Sequence, residues 1–151
     1  MKNRSARALT SAALALLALG GAGAGMAHDG AMPQCQALTL QGLYVFSATG
    51  YTMPAGAALP KAIVELIDFN GDGTLTVPAA TRSINGVVAS STGVGTYSVF
   101  TNCTGTLSFV SGPNFNIVVS PNGGELWMIQ TDANNVLQGK VTRISPDRGR
   151  Q

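Results

Sequence analysis

At 151 residues the chain has room for one domain and not comfortably for two. Its formal net charge of +2 is set by its start: Lys2, Arg4 and Arg7 carry three of the nine basic residues, and from His28 onward six basic face seven acidic side chains. That excludes the cationic footprint of a nucleic-acid binder, and low charge combined with abundant apolar residues excludes a disordered chain.

The first 27 residues form a secretory-signal pattern, with a basic leader, a 12-residue apolar run over 8–19, and small residues ending at Ala27. The run is too short to span a bilayer. The expected organisation is therefore a signal peptide over 1–27, an N-terminal arm over 28–41, a β-domain over 42–144 and a flexible tail over 145–151. Export to the periplasm or beyond also accounts for the cysteines. Cys35 and Cys103 are the only two, and an even pair in an oxidising compartment is most simply a disulfide. Two free thiols are the alternative, but neither has a neighbouring His or basic residue to activate it. The approach to Cys35, Ala31-Met32-Pro33-Gln34, is not that of a lipidated cysteine.

After the arm, short Val-, Ile-, Thr- and aromatic-rich runs alternate with Gly, Asn, Pro and Asp clusters, and no helical periodicity appears. Strands are expected over 43–50, 62–69, 74–83, 87–91, 94–101, 106–110, 115–120, 125–131 and 136–144, eight or nine in all. The 51–60 segment, with two prolines, reads as a loop that could cover a barrel mouth. Asn70-Gly71-Asp72-Gly73 is a hairpin signal. Pro78 suggests an edge, a strand end or a bulge. Consecutive antiparallel hairpins close most economically into an eight-stranded up-and-down barrel, which leaves no exposed edges. A β-sandwich is the runner-up. An outer-membrane barrel needs longer strands with aromatic girdles, so no membrane insertion is expected once the leader is removed.

Candidate chemistry is sparse. His28 would begin the mature chain, but a single histidine cannot complete a copper brace, a multi-His zinc site or a nucleophilic triad. The run from Asp68 to Gly73 copies the first half of a calcium loop, yet its twelfth position is Ala79 rather than Glu. A hairpin explains the same residues, and neither metal nor cofactor is expected. Asn102-Cys103-Thr104 is formally a glycosylation triplet, though a bridged Cys103 is the simpler account. Glu65 shares a strand face with Ile63, Ile67 and Phe69, but Val64 and Leu66 make the opposite face equally apolar. The outward orientation is favoured; an inward Glu65 would have a raised pKa and become the candidate general acid or base. Glu125 and Asp132 read as solvated, Arg143 as an inward partner or a snorkelling surface residue, and Arg82 has no evident partner. Tyr44, Phe46, Tyr97, Phe100 and Trp127, with Phe109 and Phe115, are either plain core or the lining of a ligand cavity.

The runs Gly42-Leu43-Tyr44-Val45-Phe46-Ser47, Phe69-Asn70-Gly71-Asp72-Gly73-Thr74-Leu75, Gly95-Thr96-Tyr97-Ser98-Val99, Asn102-Cys103-Thr104-Gly105-Thr106-Leu107 and Gln138-Gly139-Lys140-Val141-Thr142-Arg143 resemble a group of exported bacterial proteins with calycin-like or allene-oxide-cyclase-like barrels. The resemblance covers about 42–144 and lies in turns and strand edges. It implies the barrel fold and a cradle for an apolar molecule, whereas no cyclase active-site motif matches a position in this sequence. The expected function is binding of a small apolar or amphipathic molecule inside the barrel. The alternatives are a cofactor-free cyclase or isomerase using a buried carboxylate, and a structural or surface-interaction protein with a filled barrel.

Overall fold

The computed structural model describes residues 34–145. The expectations for the leader, for His28 and for the tail beyond Ser145 lie outside them. Within them the protein is all-β: β1 (Gln41–Thr52), β2 (Leu59–Asn70), β3 (Thr74–Ile84), β4 (Val87–Val99), β5 (Thr104–Phe109), β6 (Asn114–Val119), β7 (Glu125–Gln130) and β8 (Asn135–Arg143). Each strand pairs antiparallel with the next, and β8 returns to β1 with Phe46 opposite Val141 and Tyr44 opposite Arg143. The barrel is closed, which disposes of the sandwich. No helix among the described residues is long and apolar enough to cross a membrane.

Two strand limits and one facing depart most from the sequence expectation. The two short strands over 87–91 and 94–101 are one strand, β4, because Thr92 and Gly93 stay extended instead of turning. The 51–60 loop shrinks, since β1 runs on to Thr52 and β2 begins at Leu59, leaving one short 3-10 turn at Pro54–Gly56. The 62–69 strand is not buried on both sides: Ile67 and Phe69 face the core, whereas Val64 is exposed on the outer wall.

Pro78 sits in a bulge. The ladder between β3 and β4 shifts between Val77 and Ala80, and that between β2 and β3 shifts between Leu66 and Asp68. Proline has no N–H to lose from the ladder, so a bulge is where it costs least. The extra residue also reverses the strand's parity. Leu75 and Val77 point inward before the bulge, and Ala80 does so after it.

The two ends of the barrel are built differently. At the lower end the core is solid: Phe69 meets Tyr44 and Tyr97 edge-on, with ring centroids 5.1 and 5.0 Å away. Beneath them lies the segment from Cys35 to the buried Leu40, with its 3-10 turn at Ala37–Thr39. Cys35 and Cys103 form a disulfide, with their Cα atoms 4.9 Å apart. The Tyr97 hydroxyl accepts from the Gly71 N–H and donates toward the carbonyls of Ala37 and Leu40. The described part of the N-terminal arm, from Gln34 to Leu40, is thus a tethered plug that seals one end.

Candidate functional site

The upper half of the barrel has an incomplete wall. β1 to β4 are 11 to 13 residues long, whereas β5, β6 and β7 have only six each. β4 pairs with β5 only from Gly95 to Val99, so its upper stretch parts from the barrel wall. The gap lies between Ser91, Thr92 and Gly93 on one side and the β5–β6 turn, Val110 to Pro113, on the other. Behind it is a cavity of about 290 Å³ whose apolar lining includes Phe46, Ile63, Val77, Phe115 and Leu137. That lies at the small end of the range for ligand pockets.

Three ionisable side chains enter this space: Glu65, Lys61 and Arg82. Glu65 is only 7% exposed. Its inward orientation corrects the outward one favoured from sequence, and the cause is register: Glu65 shares the parity of Ile67 and Phe69, which face the core. Oε1 of Glu65 is buried without a hydrogen-bond partner. Burial alone raises its pKa to about 7, so near neutrality the carboxyl exchanges a proton readily. Lys61, at the rim, donates to Gln130 Oε1 at 3.2 Å, and Gln130 in turn donates to Asp132 at 2.8 Å. Asp132 also accepts from the backbone and side chain of Asn114, and these hydrogen bonds hold its carboxyl below the usual carboxylate range.

The aromatic candidates divide. Phe46 lines the cavity, together with Phe109 and Phe115, and Phe115 meets both other rings edge-on at 6.0 Å. Tyr44 and Tyr97 are buried at the sealed end and do not line it. Trp127 and Phe100 are not interior at all. Trp127 is 48% exposed, because β7 turns Leu126 and Met128 inward and Trp127 outward, under the Lys140 ammonium. Phe100 is 54% exposed, since β4 ends at Val99 and Phe100 opens the turn to Cys103. Arg143 is the inward partner of Tyr44, and Glu125 pairs with Lys140 on the surface.

Other sequence candidates are accounted for locally. In the 70–73 turn, Asp72 accepts from the N–H and hydroxyl of Thr74, and Gly71 and Gly73 adopt positive φ. Asn102 Oδ1 accepts from the N–H and hydroxyl of Thr104 in the same way. No cluster of three or more His, Cys, Asp or Glu capable of holding a metal occurs among the described residues.

The sequence expectation starts this strand at Ala62, three residues after β2 begins at Leu59, and so leaves Lys61 outside it. Its shared parity with Ile63 and Glu65 was the available signal. Arg82 was hidden by the bulge at Pro78, which brings it to the inner face. Compared with known proteins, the chain matches no family model, no curated protein and no solved structure.

Proposed function

We propose that this protein binds a small apolar or amphipathic molecule in the open half of its barrel. One observation carries the reading: a largely apolar cavity closed below by packed aromatics and open beside β4, with a single carboxyl oxygen left unpartnered in its wall. A fold that closed this gap would bury more apolar surface, so the cavity beside β4, with Ile63, Phe109 and Val110 incompletely covered, is where an occupant would add contacts. The same cavity speaks against a filled structural barrel. Likeness to calycin-like and cyclase-like barrels belongs to this proposal, as does export through the 1–27 leader, with which the disulfide is consistent.

The test is fluorescence titration with N-phenyl-1-naphthylamine, an uncharged apolar probe. Saturable enhancement is expected for the native protein. Ala80→Phe, which places a ring in the cavity, is expected to abolish it while leaving the circular dichroism of the barrel intact. Equal enhancement in both proteins would overturn the assignment.

A second reading, a cofactor-free cyclase or isomerase, is favoured by Glu65 facing the cavity with a pKa near neutrality. It requires Glu65→Gln to abolish turnover while leaving probe affinity unchanged.

A further inference from the structure

Lys61 and Arg82 are diagonal neighbours on the inner face of the β2–β3 ladder, where Lys61 faces Ile84 and Ile63 faces Arg82. Diagonal pairs stand about 7–8 Å apart, close enough for long side chains to meet. Two cations in that relation repel. The Lys61 ammonium is held below the ordinary lysine range, first by burial and next by Arg82, while Asp132 acts in the opposite direction. The Asp132 carboxylate is occupied by Asn114 and Gln130. Arg82 has no hydrogen bond or ion pair among the described residues. The rim therefore carries a cationic pair incompletely compensated by the described residues.

Below the pair the wall is apolar as far as Glu65, which lies four residues from Lys61 on the same face. Four residues of strand span about 13 Å. Resting on the binding function proposed above, we infer that the occupant is an organic acid: its carboxylate lies between Lys61 and Arg82 at the rim, and its apolar tail fills the cavity toward Glu65. The charges fix this direction. An acid head at the floor would be buried beside the Glu65 carboxyl without a counter-charge, which is the arrangement buried ions tolerate least. A head at the rim relieves the repulsion between the two cations and stays in reach of water, and the tail covers the half-buried Ile63 and Phe109 and the exposed Val110.

The experiment is displacement of N-phenyl-1-naphthylamine by decanoate and by 1-decanol, which share a ten-carbon chain and differ in the head. Decanoate is expected to displace the probe at least ten-fold more effectively at low ionic strength, with the advantage shrinking in 0.5 M salt because the rim is partly solvated. In Arg82→Gln and in Lys61→Gln, decanoate should weaken at least five-fold while 1-decanol changes less than two-fold. Arg82 is exposed, so its replacement leaves the core untouched. Equal displacement by acid and alcohol, or equal weakening of both in Arg82→Gln, overturns the head-group assignment but leaves interior binding standing. Failure of the probe itself to bind overturns interior binding, and the organic-acid assignment with it.

Discussion

Arg143 Nε donates to the Tyr44 hydroxyl at 2.8 Å, and the same guanidinium lies 5.3 Å from the centre of the Tyr44 ring. The hydroxyl passes the connection on, donating to the Gly123 carbonyl at 2.6 Å, while Arg143 Nη2 reaches the Thr39 carbonyl at 3.2 Å. Strand β1, strand β8, the β6–β7 turn and the N-terminal arm thus meet at one buried phenol. Tyr44→Phe keeps the ring and removes the joint, leaving a buried carbonyl without its donor. A loss of roughly 1–3 kcal/mol is expected, read as a lower urea midpoint with an unchanged slope. An unchanged midpoint would show that the network adds nothing to stability.

The disulfide ties the arm to the β4–β5 turn across 68 residues of sequence. Closing a loop of that size stabilises the fold by about 4 kcal/mol in the chain-entropy model. The paired replacement Cys35→Ser with Cys103→Ser is expected to lower stability by up to that amount. Its local signature is faster amide exchange at Leu40 and at Cys35, whose N–H donates to the Thr101 carbonyl. A uniform loss of protection across the barrel, with none extra in the arm, would contradict a tethered plug.

How far the sequence could be read depended on what each signal measures. Turn chemistry was legible: Asn70-Gly71-Asp72-Gly73 and Asn85-Gly86 do form the hairpins they announce, with Asn85, Gly71, Gly73 and Gly86 at positive φ. Tight turns between successive strands suffice to order an up-and-down barrel. Facing was legible only where one parity is polar. In β7, Leu126 and Met128 alternate with Trp127 and Ile129, and both sets are apolar, so nothing local says which set faces in. The same ambiguity misplaced Glu65. Arg82 was obscured for a different reason: Pro78 announced a bulge, but the reversal of parity beyond it follows only once the register is known. The cavity was beyond reach, because it arises from the unequal lengths of β4 and β5, a relation between strands rather than a property of either.

Two glycines give a contrast that tests the packing of the cavity wall. A Cβ on Gly139 would run into the Ser47 carbonyl, and would come within 2.5 Å of Ala48 Cβ and 2.7 Å of Phe46 Cε2. Gly93, at the mouth, would meet only Val77 Cβ at 4.0 Å. Gly139→Ala is expected to cost roughly 1–3 kcal/mol by overpacking and, by displacing Phe46, to weaken probe binding. Gly93→Ala should be neutral or stabilising by about 0.5 kcal/mol, through the narrower unfolded ensemble. Thermal unfolding of the two variants side by side decides it, and equal losses would mean that the β8–β1 approach is not the constraint.

Glu65 makes stability depend on pH in a direction opposite to that of most carboxylates. Burial raises its pKa from 4.5 to about 7 in the folded protein, so the folded chain keeps a proton that the unfolded chain releases. The unfolded state binds fewer protons throughout that interval, and stability falls as pH rises through it. The contribution is fully present below about pH 4.5, is lost progressively up to about pH 7, and amounts to roughly 3 kcal/mol. Asp72 and Asp132, whose pKa values are lowered by hydrogen bonds, act in the reverse sense and only below their ordinary range. A comparison between pH 5 and pH 8 therefore leaves Asp72 and Asp132 out, and the part of the difference that Glu65→Gln removes is the Glu65 contribution. Glu65→Gln, uncharged at both values, is expected to flatten the profile and to unfold at a higher urea concentration than the native protein at pH 8. A native protein equally stable at both pH values, or a Glu65→Gln variant that declines as steeply, would show that the carboxyl reaches water when it ionises and that the cavity floor is not dry.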